Sequence, residues 1–344
     1  MSLGHLHNPQ AAAELIGDFK RRFSAKVCMA PLSDHDGGIV AAHTMSVEAV
    51  LRKIGADGHV YARDLGIKLS EHAEAARISR QGIRTVSVFN GFCARHDASL
   101  FSCLENEPFV FTRRQLFMLA YRATSRECYL KRKSYDSVPT LEQLKAMYGI
   151  EGEVRYHERT LLHQAATLRG AEELEQLKAR LDTLYLEGAW NRMVSHAILF
   201  EKQPCLAACF TCEPFHDLDG NQLQDYEDLS ATMSHLAVSV IPTDQGAAAI
   251  FSWLDSSNQA PRRYFDSVVA SSSRTSAVIH TVLDISENFS LRPAWYESLG
   301  QDVKDYLVTR CEMYDATIAY SKAPRPERTA PPLDDWGPSV VAPF

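Results

Sequence analysis

The sequence predicts an α+β fold in three parts: a turn-rich ββα-type module, a helical hairpin that acts as a connector, and a C-terminal α+β domain built on an antiparallel sheet. Apolar residues recur at helical spacing from Thr112 to about residue 190, which predicts helices. After His196 they occur in short runs and alternating patterns that are typical of strands. Before residue 110 the chain is rich in turn residues and carries two closely spaced pairs of Cys and His.

The first two segments follow from short local patterns. Residues 1–23 are predicted to form an N-terminal amphipathic helix, because their apolar residues fall on one helical face. Residues 24–135 are predicted to hold the module and the helix that follows it. Within this segment, residues 39–42 and 85–89 are β-branched or apolar runs that predict strands, and Thr112 is the expected N-cap of the helix.

Residues 136–190 are predicted to form the helical hairpin. Pro139 and Thr140 mark the start of its first helix. The second helix carries leucines that step by three and four residues, as in a coiled-coil seam, at Leu174, Leu177, Leu181 and Leu184. Two heptads are too few for an independent coiled coil, so we expect this seam to pack inside the molecule.

Residues 191–321 are predicted to form the C-terminal α+β domain, and residues 322–344 a tail. The domain is expected to contain two helices, over 267–283 and 295–312. Its predicted strands cover 197–200, 206–212, 236–241 and 247–253. The tail holds six prolines and is expected to be extended and mobile.

The composition indicates a globular protein with reduced thiols. Of its 344 residues, 45% are hydrophobic and 23% are charged, which is enough to bury a sizeable interior. We find no run of 18 apolar residues, so no membrane partner is expected. The first residues show no charged stretch followed by an apolar one, so no secretion signal is expected. Together with eight cysteines, this predicts a cytoplasmic protein without disulfides.

The net charge of −7 is distributed unevenly along the chain. Residues 1–150 carry 20 Lys and Arg against 15 Asp and Glu, whereas the remainder carries 16 against 28. The basic half permits contact with a nucleic-acid backbone without requiring it. The acidic half permits a protein partner.

Two pairs of candidate metal ligands stand far apart in the chain. Cys28 and His35 are separated by six residues, and Cys93 and His96 by two. Zinc prefers thiolate and imidazole, and a structural site uses four such ligands and leaves no position for water. The pairs therefore predict one structural Zn2+ that staples the ββα-type module. The alternative is that both cysteines are buried thiols and both histidines lie at the surface.

The phrases IVAAHTMS and VFNGFCARHDASLF, which surround these pairs, resemble the HNH, or His-Me finger, nucleases. In that family a ligand pair precedes a strand ending in His, and a second pair opens a helix. The resemblance implies that His43 is the general base, that Asn90 is the central asparagine, and that Asp97 binds a catalytic Mg2+ or Mn2+. The implied activity is metal-dependent hydrolysis of nucleic acid, in bacterial defence.

Three departures from the nuclease pattern stand beside this resemblance. Ala42 replaces the acidic residue that usually precedes the general-base His, and the distance from His43 to Asn90 is long. The last ligand is Asp97 rather than a His. A second resemblance, carried by GFCARHDASLF, LENEPF, FMLAYRA and ENFSLRPAWYESL, covers about residues 24–312. It is to a family of bacterial proteins with no assigned activity.

Two functions therefore lead, and an enzyme whose site lies in the C-terminal α+β domain is a third, weaker option. The first is an HNH-like endonuclease that grips phosphates through cations; the alternative for each cation is a solvated helix face. The candidate cations are Arg95, Arg113, Arg114, Lys131, Arg132 and Lys133. The second is a non-catalytic, zinc-stabilised interaction or scaffold protein whose finger is degenerate and whose acidic C-terminal part binds a protein partner.

Overall fold

A computed structural model of the protein describes residues 8–64, 77–225, 228, 231–256, 258–319 and 333–344. The chain is mixed α+β, with 45% helix and 24% strand, and its large sheet is antiparallel. The predicted fold class is confirmed. None of the helices in the described ranges is both long and apolar enough to cross a membrane.

The helices and strands alternate in groups along the chain. A π-helical turn over Val47–Leu51 leads into α2, and a 3-10 turn over Trp190–Arg192 leads into β5. The helices are α1 (Pro9–Phe23), α2 (Arg52–Ile54), α3 (Ala94–Leu100), α4 (Ser102–Glu105), α5 (Arg113–Asp136), α6 (Leu141–Glu187), α7 (Ala260–Ala270), α8 (Arg274–Ile285), α9 (Pro293–Ser298) and α10 (Gln301–Ala319). The strands are β1 (Ile39–His43), β2 (His59–Asp64), β3 (Arg77–Gly82), β4 (Val88–Cys93), β5 (Met193–Phe200), β6 (Leu206–Cys212), β7 (Leu236–Thr243), β8 (Gly246–Leu254), β9 (Phe289–Leu291) and β10 (Ser339–Pro343).

The predicted ββα unit is formed by β1, β4 and α3. The two strands pair antiparallel, with Ile39 opposite Cys93 and His43 opposite Val88, and a bulge interrupts their register. The second strand begins three residues later than its apolar run predicts. Ser87, with φ of 58°, ends the preceding turn in the left-handed region, so the chain becomes extended only after it.

Strands from both halves of the chain form one eight-stranded sheet, in the order β10-β5-β8-β7-β6-β9-β2-β3. The three-residue strand β9 joins the halves, because it pairs with β6 on one side and with β2 on the other. The predicted segments 24–135 and 191–321 therefore share a sheet. Local sequence patterns could not show this, because the pairing of β2 with β9 depends on contacts between residues far apart in the chain.

Helices cover both faces of this sheet. In β6, Ala207 and Cys209 belong to the core under α5, whereas Leu206, Ala208 and Phe210 belong to the core under α7, α8 and α10. Both faces of the strand are thus buried. This explains why the β6 sequence is almost continuously apolar and does not alternate with polar residues.

The predicted hairpin within residues 136–190 is wrong, because α6 is a single helix of 47 residues. Thr140 and Gln143 form a capping box at its start, and Gly188 ends it with φ of 65°. No proline interrupts the helix, so nothing in the sequence forces a turn. The hairpin is instead made by α5 and α6, which pack against each other.

The tail prediction is wrong for its described part. Residues 322–332 lie outside the described residues. Beyond them, β10 pairs with β5 along the edge of the sheet, and Trp336 is fully buried. The helix expected at 267–283 is two helices, α7 and α8, because the Ser271–Ser273 segment between them is non-helical.

Candidate metal centre

The structure brings the four predicted ligands together. One ligand atom from each of Cys28, His35, Cys93 and His96 lies within 4.8 Å of the others. Nδ1 of His96 lies 3.4 Å from Sγ of Cys28 and 3.3 Å from Sγ of Cys93. The cluster could hold a metal ion such as zinc, since two thiolates and two imidazoles suit a tetrahedral site.

Backbone pairing carries the first cysteine to the second. The N–H groups of Val27 and Met29, on either side of Cys28, donate to the carbonyls of Asn90 and Gly91 in β4. Cys93 is the last residue of β4 and precedes the first turn of α3. The segment around Cys28 therefore runs beside the strand that ends in Cys93.

The strand-to-helix junction explains the two-residue gap of the second pair. Cys93 is extended, and His96 lies in the first turn of α3, so their side chains converge. Cys93 and His96 are each 1% exposed, which excludes water from this side of the cluster. His35 is exposed, and its ring meets that of His96 edge-on at 5.2 Å.

Asp34 is a site residue that the sequence prediction missed. Its Oδ1 lies 3.3 Å from Nε2 of His96, and its Oδ2 lies 2.5 Å from Arg95. Histidines that bind a metal through one nitrogen usually donate the other N–H to a carboxylate, which fixes the ring. The contact with His96 also lowers the pKa of Asp34. In the sequence SDHD, Asp34 directly precedes the candidate ligand His35, and this was the available signal.

The two thiols differ in their ease of ionisation. Burial raises the pKa of the Cys28 thiol. Burial also acts to raise the pKa of Cys93, but hydrogen bonds from the backbone of His96 and Asp36 outweigh it and leave that pKa lowered. Thiolates are the metal-binding form, so Cys93 is the better prepared ligand.

A second polar cluster lies beside the metal centre and contains two of the three predicted catalytic residues. Arg122 of α5 is 3% exposed, and its Nη1 lies 2.5 Å from Oε1 of Glu105. Its Nη2 lies 4.0 Å from Oδ1 of Asp97. Burial lowers the pKa of His43, and the charge of Arg122 lowers it further. Burial raises the pKa of Asp97, and the charge of Arg122 offsets only part of this rise.

The third predicted catalytic residue, Asn90, lies elsewhere. Its side chain lies close enough to Tyr129 to act on the pKa of that hydroxyl, which donates to the carbonyl of Ala25. Tyr129 and Arg122 are seven residues apart on α5, which corresponds to about 10 Å along a helix. Asn90 is therefore placed by a different turn of α5 from the one that approaches His43 and Asp97.

Most of the predicted phosphate-binding cations have acidic neighbours. Arg95 pairs with Asp34, Arg132 with Glu175, and Lys133 lies 4.0 Å from Asp136. The side chain of Lys131 packs near Gly170 on α6, and its charge acts on Glu213. Arg113 and Arg114 are exposed in the first turn of α5.

Comparisons with known proteins yield no relative. No protein-family model matches the chain. No curated protein and no solved structure matches it either. Function is therefore inferred from the residues and their geometry.

Proposed function

We propose that the Cys28, His35, Cys93 and His96 cluster binds one structural Zn2+, and that the protein is a zinc-stabilised interaction protein rather than a nuclease. Four protein ligands leave a zinc ion no open position for water. A zinc ion here would tie together the segment around Cys28, the loop of His35, strand β4 and helix α3. Its role would be to hold the ββα unit in place.

The buried guanidinium of Arg122 carries the second half of the proposal. In the nuclease interpretation, a divalent cation would be held by Asp97 close to the general base His43. Arg122 lies beside Asp97, and its charge also acts on His43. A guanidinium is always charged and supplies no ligand atom, so it neutralises the carboxylates and opposes entry of a second cation.

The position of Asn90, away from His43 and Asp97, supports the same conclusion. The nuclease interpretation needs His43, Asn90 and Asp97 around one reacting phosphate. Asn90 lies beside Tyr129 instead. The position of Asn90 beside Tyr129 thus supports the interaction-protein proposal over the nuclease.

The partner best suited to such a protein is another protein. The residues after 150 carry 28 acidic against 16 basic side chains, so this part of the surface favours a partner with a basic face. The same acidic residues would repel nucleic acid. In the basic half, only two of the six predicted cations, Arg113 and Arg114, are both exposed and outside the ion pairs described above.

Metal analysis combined with a cleavage assay tests the proposal. We expect the purified protein to contain about one zinc per chain. We also expect no cleavage of single- or double-stranded DNA or RNA in Mg2+ or Mn2+. Absence of zinc would overturn the structural centre. Divalent-dependent cleavage that disappears in His43→Ala would overturn the interaction-protein assignment.

A second candidate function is the HNH-like nuclease. The observation that favours it is the position of His43 at the end of β1 in a ββα unit, with an Nε2 that is buried and has no hydrogen-bond partner among the described residues. Its lowered pKa keeps the imidazole neutral, which is the form a general base needs. Cleavage that depends on His43 and leaves the zinc content unchanged would establish it.

A further inference from the structure

A second group of candidate metal-binding side chains lies where β6 ends and β7 begins, beside the C-terminal half of α6. Cys212 of β6 is opposite Leu236 of β7, so Glu213 and His235 form the next opposite pair, just beyond the ladder. Opposite residues of an antiparallel pair have Cβ atoms about 5 Å apart. Glu173 of α6 completes the group.

The distances within this group are those of ligands around one ion. One ligand atom from each of Glu173, Glu213 and His235 lies within 4.8 Å of the others. Nε2 of His235 lies 2.9 Å from Oε1 of Glu213. Neighbouring ligands of an octahedral cation are about 3 Å apart when each is about 2.1 Å from the ion.

The orientation of His235 is the independent observation. Its side chain is 5% exposed, and its Nε2 has no hydrogen-bond partner among the described residues in spite of the nearby carboxylate. The ring nitrogen therefore faces the carboxylates without the alignment that an N–H donor would need. A ring nitrogen that points at a shared cation accounts for this arrangement.

We propose that Glu173, Glu213 and His235 bind one divalent metal ion, separate from the Cys/His centre. Two carboxylates and one imidazole form a harder ligand set than two thiolates and two imidazoles, and suit Mn2+. Three protein ligands leave coordination positions for water or for a ligand, in contrast to the four-ligand centre. The inference does not depend on the function proposed above.

The neighbouring cations are compatible with this site. Arg169 donates to Oε1 of Glu173 at 3.0 Å and also to the carbonyls of Asp228 and Ala231. A carboxylate has two oxygens, so this contact orients Glu173 and leaves the other oxygen for a metal ion.

The charge of Lys131 also acts on Glu213. Lys131 would compete with a metal ion for this carboxylate. Lys131→Met should accordingly tighten metal binding.

Titration of the full-length, zinc-loaded protein with Mn2+, followed by the electron paramagnetic resonance signal of free Mn2+, tests the site. Thiolates bind Mn2+ poorly, so the Cys/His centre should not take it up. We expect one Mn2+ per chain in the wild-type protein. His235→Ala and Glu213→Gln should each weaken binding by at least about tenfold, whereas His59→Ala, a histidine change on strand β2, should leave it unchanged.

The outcomes are distinct. Absence of saturable Mn2+ binding, together with a zinc content of about one per chain, would overturn the proposal, as would equal binding by wild type and both variants. Two zinc ions per chain, falling to one in Glu213→Gln, would support the site with zinc as its ion. Glu213→Gln keeps the shape of the side chain, so it decides the matter where His235→Ala does not fold.

Discussion

The backbone N–H of Cys93 donates a hydrogen bond to Sγ of Cys28 at 3.3 Å, across 65 residues of sequence. Hydrogen bonds to a sulfur stabilise its ionised form, which is the form that binds zinc. The side chain of Lys178 reinforces the same segment, because its Nζ donates to the carbonyl of Met29 and to Asp182. Strand β4 and helix α6 thus hold the Cys28 segment in position from two sides.

The first prediction concerns the zinc centre. Cys93→Ala should remove zinc from the purified protein and lower its free energy of unfolding, because metal binding and folding are coupled. Zinc content by mass spectrometry and urea unfolding followed by circular dichroism measure the two effects.

Cys103→Ala is the matched control. Cys103 is equally buried but belongs to the core under α5 and not to the metal cluster. It should keep its zinc. A Cys93→Ala protein with the same zinc content as the Cys103→Ala protein would contradict the ligand assignment.

The sequence predicts the metal centre better than the rest of the site. The two-residue gap between Cys93 and His96 has a local cause, because one turn of helix brings both side chains to one place. Asp34 was missed since it acts on His96, 62 residues away. Glu213 and His235 were missed for the same reason: only the register of β6 against β7 makes them neighbours.

The second prediction concerns the buried guanidinium of Arg122. Arg122→Gln removes the cation beside Glu105 and Asp97, whose side chains are 30% and 25% exposed, and should cost about 1–3 kcal/mol of stability. The surface pair of Arg132 with Glu175 is the comparison, and Arg132→Gln should cost less than about 1 kcal/mol. Urea unfolding of both variants at neutral pH is the measurement, and equal losses would show that the Arg122 cluster is not the buried network described here.

The third prediction concerns the pH dependence of stability. Burial and the charge of Arg122 lower the pKa of His43 below its ordinary value of 6.5 in the folded protein. As pH falls below about 6.5, the unfolded chain therefore takes up this proton before the folded protein does, and stability is lost. His43→Gln removes that proton uptake.

Unfolding free energies of zinc-saturated wild type and His43→Gln, compared at about pH 7.5 and about pH 5.5, test this prediction. The wild type should lose more stability than the variant on acidification. Other groups, including the metal ligands, titrate in both proteins, so only the difference between the two proteins is informative. An equal loss in both would mean that His43 is as easily protonated in the folded as in the unfolded chain.

The division of the chain into units was the least predictable feature. Residues 59–64 and 77–82 carry no local sign that they extend a sheet whose other strands begin at residue 193. A fragment of residues 191–321 is expected not to fold alone, because it lacks α5, which covers β6, β7 and β8, and also lacks β10. Chelation of zinc should then reduce hydrogen-exchange protection in the large sheet as well as in the ββα unit.

The last prediction concerns the C-terminal segment, whose prolines suggested a mobile tail. Trp336 is fully buried, packs edge-on against Phe200 at 5.1 Å, and donates from its indole nitrogen to Asp334. Trp336→Ala should therefore cost about 3–5 kcal/mol. Val340 lies nearby on β10 with 67% of its surface exposed, and Val340→Ala should change stability by less than about 1 kcal/mol. Thermal and urea unfolding of both variants decide the question: a Trp336→Ala protein as stable as the Val340→Ala protein would mean that the segment does not cover the sheet in solution.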